Sequence, residues 1–332
     1  MPYLTDRFHD QNRLAGNRDD TAPRAVAARL RGRVLGQDDA VDAVVRAIAL
    51  ARAGAHDPGR PLANLLLVGP TGVGKTELVR RVAAELRSGP DDLCRVDMSA
   101  LAQEHYAASF SGAPPGYAGS KEGFSVFDRS TVEGDPYTPG VVLFDEVEKA
   151  HPTVLRALLH VLDTGVLRLA NGQQTISFRN SFVFLTSNLG SAELARRAGR
   201  WWWPTRRRDV VSRALTAFFD PEFLNRIDEV VEFRALGPEV ALDITLLEVE
   251  AVRRRLRGRG VRLEVEDEAV RLIARRGFDP VYGARALRRC LRVELIAVVA
   301  EEVLRVRPEG TDALRVHVRV AGDALLAHAE PG

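Results

Sequence analysis

Short apolar runs separated by turns divide much of the chain into strands that alternate with helical patterns. These runs predict strands at 65–68, 93–97, 141–144, 181–187 and 229–233. The run at 141–144, Val-Val-Leu-Phe, is typical of a parallel strand that is buried on both faces. Helical spacing precedes the first strand over 23–31 and 38–53. The pattern predicts an α/β fold, with a parallel sheet flanked by helices.

The pattern changes at Gly237-Pro238, where the proline suits the first turn of a new helix. The predicted elements beyond it are a helix to residue 257, a strand at 261–265, a helix at 268–276, a longer helix at 284–303 and a strand at 314–320. We therefore expect three parts. They are a polar, poorly ordered tail at 1–23, a large α/β domain at 24–236 and a small C-terminal α+β domain at 237–332.

Composition sets outer limits on function. The chain has 332 residues, 45% hydrophobic and 28% charged, which suits roughly two globular domains. Its net charge of +2 and pI near 8.7 are too mild to indicate nucleic-acid binding. No apolar stretch reaches the ~18 residues of a membrane span, and residues 1–20 lack the apolar core of a secretory signal. Cys94 and Cys290 lie far apart and indicate reduced core thiols, so we expect a cytoplasmic protein.

Candidate chemistry begins directly after the strand at 65–68. A buried strand, a glycine-rich turn and a helix in this order form a phosphate-binding loop, because glycines let successive backbone N–H groups curl around phosphate oxygens. Lys75 brings a compact positive charge to the β- and γ-phosphates, and Thr76 is placed to ligate Mg²⁺. The predicted nucleotide-binding residues are Gly69, Pro70, Thr71, Gly72, Val73, Gly74, Lys75 and Thr76. The sequence therefore predicts ATP and Mg²⁺ as cofactors.

Lysine usage argues against a chance match to this loop. The chain has 47 lysine and arginine residues, and three of them are lysine: Lys75, Lys121 and Lys149. A chain that otherwise uses arginine keeps a lysine at the position where a point charge is needed. Arginine's planar fork would not replace it there.

Two carboxylates, Asp145 and Glu146, close the apolar strand at 141–144. Open α/β sheets bind ligands at the carboxyl ends of their strands, so we expect this pair beside the phosphate loop. Asp145 is predicted to hold Mg²⁺ through water, and Glu146 to orient and deprotonate an attacking water. The alternative is a strand that ends in a solvated acidic turn. The phosphate loop upstream makes that alternative the weaker one.

Seven motifs, in order along the chain, resemble the AAA+ ATPases of the Clp class, most closely the second ATPase domain of ClpB-type disaggregases. The likeness covers about residues 26–320. Its landmarks are Val34–Gln37, Gly69–Leu78, Gly112–Tyr117, Asp145–Pro152, Thr186–Gly190, Phe223–Glu229 and Tyr282–Arg285. The resemblance implies an AAA+ P-loop NTPase, with a large nucleotide-binding domain followed by a small lid domain.

The resemblance also implies roles for single residues. The segment that lines the adenine pocket in the family matches Val34, Gly36 and Gln37. Asn188 matches the first sensor, which polarises the γ-phosphate or the attacking water, and Arg285 matches the second sensor on the small domain. Arg226 matches the arginine finger, which acts on the neighbouring subunit's ATP and implies a homo-hexameric ring. Without the resemblance, a surface salt bridge would be the preferred interpretation of either arginine.

One motif links the ring to mechanical work. The pore loop that grips an extended polypeptide in the family's central channel resembles Gly116, Tyr117, Ala118 and Gly119. The flanking glycines give mobility, and the aromatic ring offers a large apolar face to any side chain. A Pro-Gly-Tyr turn with a half-buried tyrosine is the alternative. The pore interpretation implies unfolded or aggregated proteins as substrates.

All three tryptophans stand together at 201–203, followed by Pro204 and by arginines at 206–208. Family members that feed the ClpP peptidase carry a Gly-Phe tripeptide ahead of the arginine finger, and residues 192–208 contain none. Three adjacent rings cannot share one buried face of a regular element, so at least one is expected to be exposed. The loop at 200–208 either docks an adaptor or a peptidase ring, or folds back on its own domain.

The sequence leaves several functions open. An ATP-dependent unfoldase or disaggregase-like chaperone that threads polypeptide through a hexameric ring is favoured by Tyr117. A remodelling switch that acts on one dedicated protein complex is the alternative, because no segment of this sequence matches the N-terminal substrate domain, first ATPase ring or coiled-coil arm of family disaggregases. The sequence is then either a single-ring protein or a piece of a larger one. The ATPase subunit of a Clp-type protease is a related option. A nucleic-acid motor is weaker, since the arginine runs at 206–208 and 253–255 are expected on solvated faces. We predict no nucleic-acid or membrane partner.

Overall fold

A computed structural model of the protein describes residues 22–103, 110, 127–135, 137–168, 175–191, 193–194, 204–280, 282–306 and 313–331, the side chains of 204–207 excepted. The described residues form two compact units. The first unit runs to Gly69 and resumes over Gly74–Phe233. The second combines Pro70–Val73 with the chain from Arg234 onward, so the division falls a few residues before the boundary expected from the sequence.

The first unit is built on a parallel sheet. Its strands are β1 Ala63–Val68, β2 Cys94–Asp97, β3 Gly140–Asp145, β4 Val166–Arg168, β5 Thr175–Ser177, β6 Ser181–Ser187 and β7 Glu229–Glu232. Five of them form the sheet in the order β2-β3-β6-β1-β7, and every pairing is parallel. Strands β4 and β5 form a separate antiparallel ribbon. Every residue of β1, β3 and β6 is buried, as the continuous apolar runs predict for central strands covered on both faces.

Helices cover this sheet. They are α1 Pro23–Arg31, α2 Asp38–Arg52, α3 Lys75–Leu86, α4 Arg129–Glu133, α5 Pro152–Thr164, α6 Pro204–Phe218 and α7 Pro221–Leu224. Proline occupies the first turn of α1, α5 and α7, where its missing N–H has no intrahelical partner to lose. Helix α5 ends at Gly165, whose left-handed φ of 63° stops the helix. It packs Val154, Leu158 and Val161 into the same core as β3 and β6.

The second unit has a smaller sheet with its own core. Its elements are α8 Pro238–Arg257, β8 Val261–Val265, α9 Asp267–Gly277, α10 Ala284–Leu291, α11 Ala297–Val306, β9 Leu314–Ala321 and β10 Ala324–Pro331. The strand order is β10-β9-β8, with β8 parallel to β9 and β9 antiparallel to β10. A π-helical turn, Arg292–Ile296, joins α10 to α11. Val316 and Val318 of β9 are fully buried in the core that these elements share.

The sequence predictions match most of these elements, and three differences stand out. The helix expected over 284–303 is interrupted by the π-helical turn and extends to Val306. The ribbon of β4 and β5 was not predicted, and neither was β10. Within the described residues, every helix is too short or too polar to cross a lipid bilayer.

Candidate functional site

Three strand ends gather the residues that the sequence singled out. Gly69 follows β1, Asp145 ends β3, and Asn188 follows β6. These strands are parallel and β6 lies between the other two, so their carboxyl ends share one edge of the sheet. Asp145 was expected beside the phosphate loop. The sheet order inserts Asn188 between them.

The phosphate loop takes its path from glycines. Gly72 and Gly74 have φ values of 76° and 108°, and Gly74 is the N-cap of α3. A Cβ on Gly69 would lie 2.6 Å from the carbonyl oxygen of Phe233, so no larger residue fits there. Because α3 begins at Lys75, the N–H groups of its first turn have no intrahelical partners and are available to an anion.

A chain of polar contacts joins the loop to the carboxylates. Lys75 is only 8% exposed, and its Nζ donates to Asn188 Oδ1 at 2.9 Å and to the carbonyl oxygen of Gly69. Asn188 Nδ2 in turn donates to Glu146 Oε1 at 3.3 Å. Asn188 therefore links Lys75, the cation predicted to bind phosphate, with Glu146, the carboxylate predicted to deprotonate water.

Asp145 is buried and held at both of its oxygens. Thr186 Oγ1 donates to Oδ1 at 2.5 Å, and Arg95 Nη2 donates to Oδ2 at 2.6 Å. The Thr186 hydroxyl also accepts the backbone N–H of Glu146 at 2.9 Å. Neither partner was predicted from the sequence. They come from β6 and β2, the two neighbours of β3, so only the sheet order reveals them.

Two glutamates contact the same asparagine from the turn after β3. Among the described residues, Glu146 is the one non-glycine with a positive φ, at φ 59° and ψ 55°. Glu148, which the sequence analysis left without a role, accepts the backbone N–H of Asn188 through Oε1 at 3.0 Å. The side chain of Asn188 thus faces Glu146, while its backbone is held by Glu148.

The segment matched to the adenine pocket lies next to the loop. Val34 and Gln37 are buried, at 4% and 3% exposure, and Gln37 is the N-cap of α2. Gly36 between them has a φ of 71°. A Cβ on Gly74 would lie 3.7 Å from Val34 Cγ1. The structure therefore brings this segment and the loop together, and its role in adenine binding stays a prediction.

The residues at this edge fit the phosphates of ATP with Mg²⁺. A buried lysine beside the N-terminus of α3 suits an anion. The Asp145 carboxylate and the half-buried Thr76 hydroxyl supply oxygen donors of the kind that Mg²⁺ prefers. No group of three or more histidines, cysteines or carboxylates that could hold a metal ion occurs in the described part of the chain, this edge included.

Arg226 lies at the opposite edge of the sheet. Its carbonyl oxygen accepts a hydrogen bond from Asn64 Nδ2 at 3.1 Å, and Asn64 stands at the start of β1. Gly69 follows the other end of that strand, roughly 15–20 Å away at ~3.3 Å per residue. Arg226 Nε forms an ion pair with Asp163 Oδ1 at 2.6 Å. The structure does not bring Arg226 to the phosphate loop of its own chain.

Arg285 lies in the first turn of α10, in the second unit. Within that unit, the N–H of Ala284 donates to the carbonyl oxygen of Gly72 at 2.9 Å. A Cβ on Gly72 would lie 2.1 Å from the Tyr282 oxygen, which explains the glycine at that point of the loop. The role of Arg285 as second sensor stays a prediction.

Two predicted segments fall outside what the structure describes. Neither the pore-loop residues at 116–119 nor the tryptophans at 201–203 are among the described residues. The backbone of residues 204–208 forms the start of α6, where the sequence analysis expected a loop. Any docking by 200–208 therefore includes a helix N-terminus.

Comparisons with known proteins identify the family of the chain. Residues 60–230 match the family model of the AAA domain (Cdc48 subfamily), and residues 236–316 match that of the C-terminal, D2-small domain of ClpB protein. The chain is 60% identical to an ATP-dependent protease ATP-binding subunit-like protein of Rhodococcus erythropolis, over 100% of both chains. It is 46% identical to the chaperone protein ClpB of Meiothermus ruber, over 91% of this chain and 34% of that protein.

A solved structure gives the same assignment. The closed state of Hsp104 with ATPγS and FITC casein aligns with a TM-score of 0.81 at 32% identity, over 96% of this chain and 54% of that one. The predicted fold, an AAA+ domain with a parallel sheet plus a small C-terminal domain, is confirmed. The chain spans about a third of the length of the ClpB chaperone, with 34% of that protein covered. Together with the site geometry, these matches show that the chain belongs to the AAA+ ATPases of the Clp class, hydrolyses ATP, and resembles the second ATPase domain of ClpB.

Proposed function

We propose that the protein is an ATP-dependent unfoldase, a disaggregase-like chaperone whose homo-hexameric ring threads unfolded or aggregated polypeptides. The observation that carries the proposal is the position of Arg226, at the sheet edge opposite the phosphate loop. A finger placed there completes the site of a neighbouring protomer, and head-to-tail contacts of this kind close into rings. The ClpB relative and the Hsp104 structure with casein support the chaperone activity.

Inside each ATP site, residues of this chain bind the phosphates, orient the catalytic carboxylate and take a proton from the attacking water. Lys75 and the N–H groups of loop 69–76 hold the β- and γ-phosphates of ATP. Glu146 takes the proton of the attacking water, and Asn188 Nδ2 keeps its carboxylate oriented through the 3.3 Å contact. Asp145 and Thr76 would hold Mg²⁺, which when bound neutralises charge on the phosphate oxygens.

Two arginines complete the proposed site. Arg226 of the adjacent protomer stabilises negative charge in the transition state, and an arginine supplied in trans contributes ~10³–10⁵ in rate. Arg285 contacts the γ-phosphate from the small domain. Val34, Gly36 and Gln37 line the adenine pocket. A cytoplasmic location remains a prediction, in keeping with the free thiols of Cys94 and Cys290.

The test removes the aromatic side chain of the proposed pore loop and leaves the ATP site unchanged. We expect Tyr117→Ala to abolish unfolding of a stably folded reporter protein and the stimulation of ATP turnover by unfolded casein, while basal turnover survives. Tyr137→Ala is the control, since it removes a tyrosine side chain, 52% exposed, outside the proposed loop. Normal unfolding by Tyr117→Ala would contradict threading.

A second candidate follows from the name of the Rhodococcus relative. That protein is described as an ATP-dependent protease ATP-binding subunit-like protein. The same ring would then deliver unfolded chains to a peptidase, or to an adaptor, docked through 200–208. A third candidate is the switch that remodels one dedicated complex. It differs in the same experiment, because its ATP turnover would not respond to casein.

A further inference from the structure

Two polar side chains donate hydrogen bonds to the backbone at Arg226. Asn64 of β1 is fully buried, and its Nδ2 donates to the carbonyl oxygens of Arg226 and Leu162, each at 3.1 Å. Arg60, just ahead of β1, donates through Nη2 to the same Arg226 oxygen at 2.8 Å and through Nε to the Leu162 oxygen at 3.3 Å. We call Asn64 and Arg60 the finger brace.

The main chain reinforces this brace. The N–H of Asn64 donates to Asp228 Oδ2 at 2.7 Å, and the N–H of Asp228 donates to the Asn64 carbonyl oxygen at 2.9 Å. Arg60 Nη2 also lies 3.5 Å from Asp228 Oδ1. Residues 226–228 are therefore fixed to β1 through both backbone and side chains.

The Arg226 guanidinium itself is held more loosely. Its Nε lies 2.6 Å from Asp163 Oδ1, in the geometry of an ion pair and not of an aligned hydrogen bond. The two side chains are 33% and 44% exposed, so solvent weakens the pair, although the Nε atom itself is buried. The brace grips Leu162, the residue before Asp163. The brace therefore fixes the backbone of Arg226 and also the backbone next to Asp163, the carboxylate that pairs with Arg226.

An asparagine is a costly choice for this buried position. Asn64 Oδ1 has no hydrogen-bond partner within the part of the chain that the structure describes. A buried acceptor without a partner costs free energy that an aliphatic side chain would avoid. What the amide adds is a pair of donor contacts to the finger segment and to the end of α5.

We propose that Asn64 and Arg60 are positioning residues for the arginine finger. The inference rests on the proposed function, in which Arg226 acts on the ATP of the neighbouring protomer. Asn64 lies at the start of β1 and Arg60 just ahead of it, and the other end of the strand enters the phosphate loop. One strand thus fixes the position of Arg226, which acts on the neighbouring protomer's ATP, relative to the phosphate loop of its own protomer. Without the brace Arg226 shifts, and a displacement of ~1 Å costs on the order of 10² in rate.

The experiment begins with steady-state ATP turnover of Asn64→Ala. We expect kcat to fall by about 10- to 100-fold with little change in KM for ATP, because the phosphate loop keeps its contacts. The variant is then mixed in equal amounts with Glu146→Gln, whose own site is inactive but whose finger is intact. Turnover should recover several-fold, because many Asn64→Ala sites then face an intact finger.

Controls separate this inference from the proposed function. Asn180→Ala is matched, because Asn180 Nδ2 also donates to two carbonyl oxygens, of Glu133 at 3.3 Å and Asp135 at 3.1 Å, away from the finger. Its kcat should stay near that of wild type. Arg226→Ala, mixed with Glu146→Gln in the same way, is the reference for a finger supplied in trans.

Each outcome decides a different claim. Rescue of both Asn64→Ala and Arg226→Ala supports the brace. Rescue of Arg226→Ala alone overturns the brace and leaves the finger in place. Rescue of neither overturns the finger in trans, and the brace with it. If Asn64→Ala does not fold, Arg60→Ala gives the same test, since the Arg60 side chain is 26% exposed and easier to replace.

Discussion

Glu146 has a left-handed backbone at the point where β3 ends. For a residue with a Cβ, this conformation costs ~1–2 kcal/mol. The bond from its N–H to Thr186 and the contact of its carboxylate with Asn188 hold it there. The chain gives up stability at this position to aim one carboxylate at the sheet edge. The strain arises from the backbone conformation and not from the carboxylate. Substitutions that all remove the carboxylate can therefore measure the strain by its effect on stability.

We predict that Glu146→Gly is more stable than Glu146→Ala by about 1 kcal/mol, although both lack catalytic turnover. Both variants lose the same carboxylate contacts, and only alanine keeps the left-handed strain. At Arg156, an exposed position inside α5, the order should reverse, because glycine weakens a helix interior. Melting temperatures of the four variants without nucleotide measure this. A glycine variant less stable than alanine at both positions would show that the turn carries no strain.

Among the elements, those with a continuous or strictly alternating apolar pattern could be predicted, and those with weak patterns could not. Strands β6 and β8 and helix α8 have the predicted bounds. Strand β10 buries only Leu325 and Ala329 well, so its apolar alternation is faint. The Gly322-Asp323 pair, with Gly322 at φ 62°, is a two-residue hairpin signal that could have revealed it.

The candidate site shows a similar limit. Lys75, Asp145 and Glu146 were predictable, because each belongs to a motif contiguous with its own strand. The contacts of Arg95 and Thr186 with Asp145 were not, because they depend on which strands neighbour β3. Local sequence specifies a strand and its end. Strand order is a property of the whole sheet.

Glu302 joins α11 to β10 and makes this junction sensitive to pH. Hydrogen bonds from Arg305 and from the Ala329 N–H lower the pKa of Glu302 from the usual 4.5 to about 2. Folding therefore favours the carboxylate. This stabilisation is complete above about pH 5 and is lost as the pH falls from there toward 2.

We predict that Glu302→Gln lowers the melting temperature at pH 7 by about 2–4 °C, a modest shift because the exposed Arg305 is screened by solvent. The difference from wild type should narrow below pH 4.5, where unfolded chains also bind the proton. Thermal denaturation between pH 7 and pH 3 measures this difference. Glu301→Gln is the control, because Glu301 is the exposed neighbour of Glu302. A difference that stays constant with pH would mean that the lost contacts are not ionic.

At the scale of the molecule, the separation of Arg226 from Lys75 along β1 has a consequence for assembly. If the finger contacts a neighbour's γ-phosphate, ATP lies between two protomers and contributes to their contact. A ligand that binds only the assembled form shifts the equilibrium toward assembly. Hydrolysis removes the γ-phosphate and weakens that contribution, so a protomer that binds ATP without cleaving it should give the most stable ring.

We therefore predict that Glu146→Gln with ATP and Mg²⁺ forms a particle of about six times the 36.5 kDa mass of the chain. Light scattering after size exclusion measures the mass. Lys75→Ala should remain smaller under the same conditions, because it lacks the cation that binds the phosphates. Adding Arg226→Ala to the Glu146→Gln chain should raise the protein concentration needed for assembly by removing the contact from the finger side. A Glu146→Gln chain that stays at the mass of one protomer in saturating ATP would contradict the ring, since the finger at the far edge of the sheet would then have no phosphate to reach.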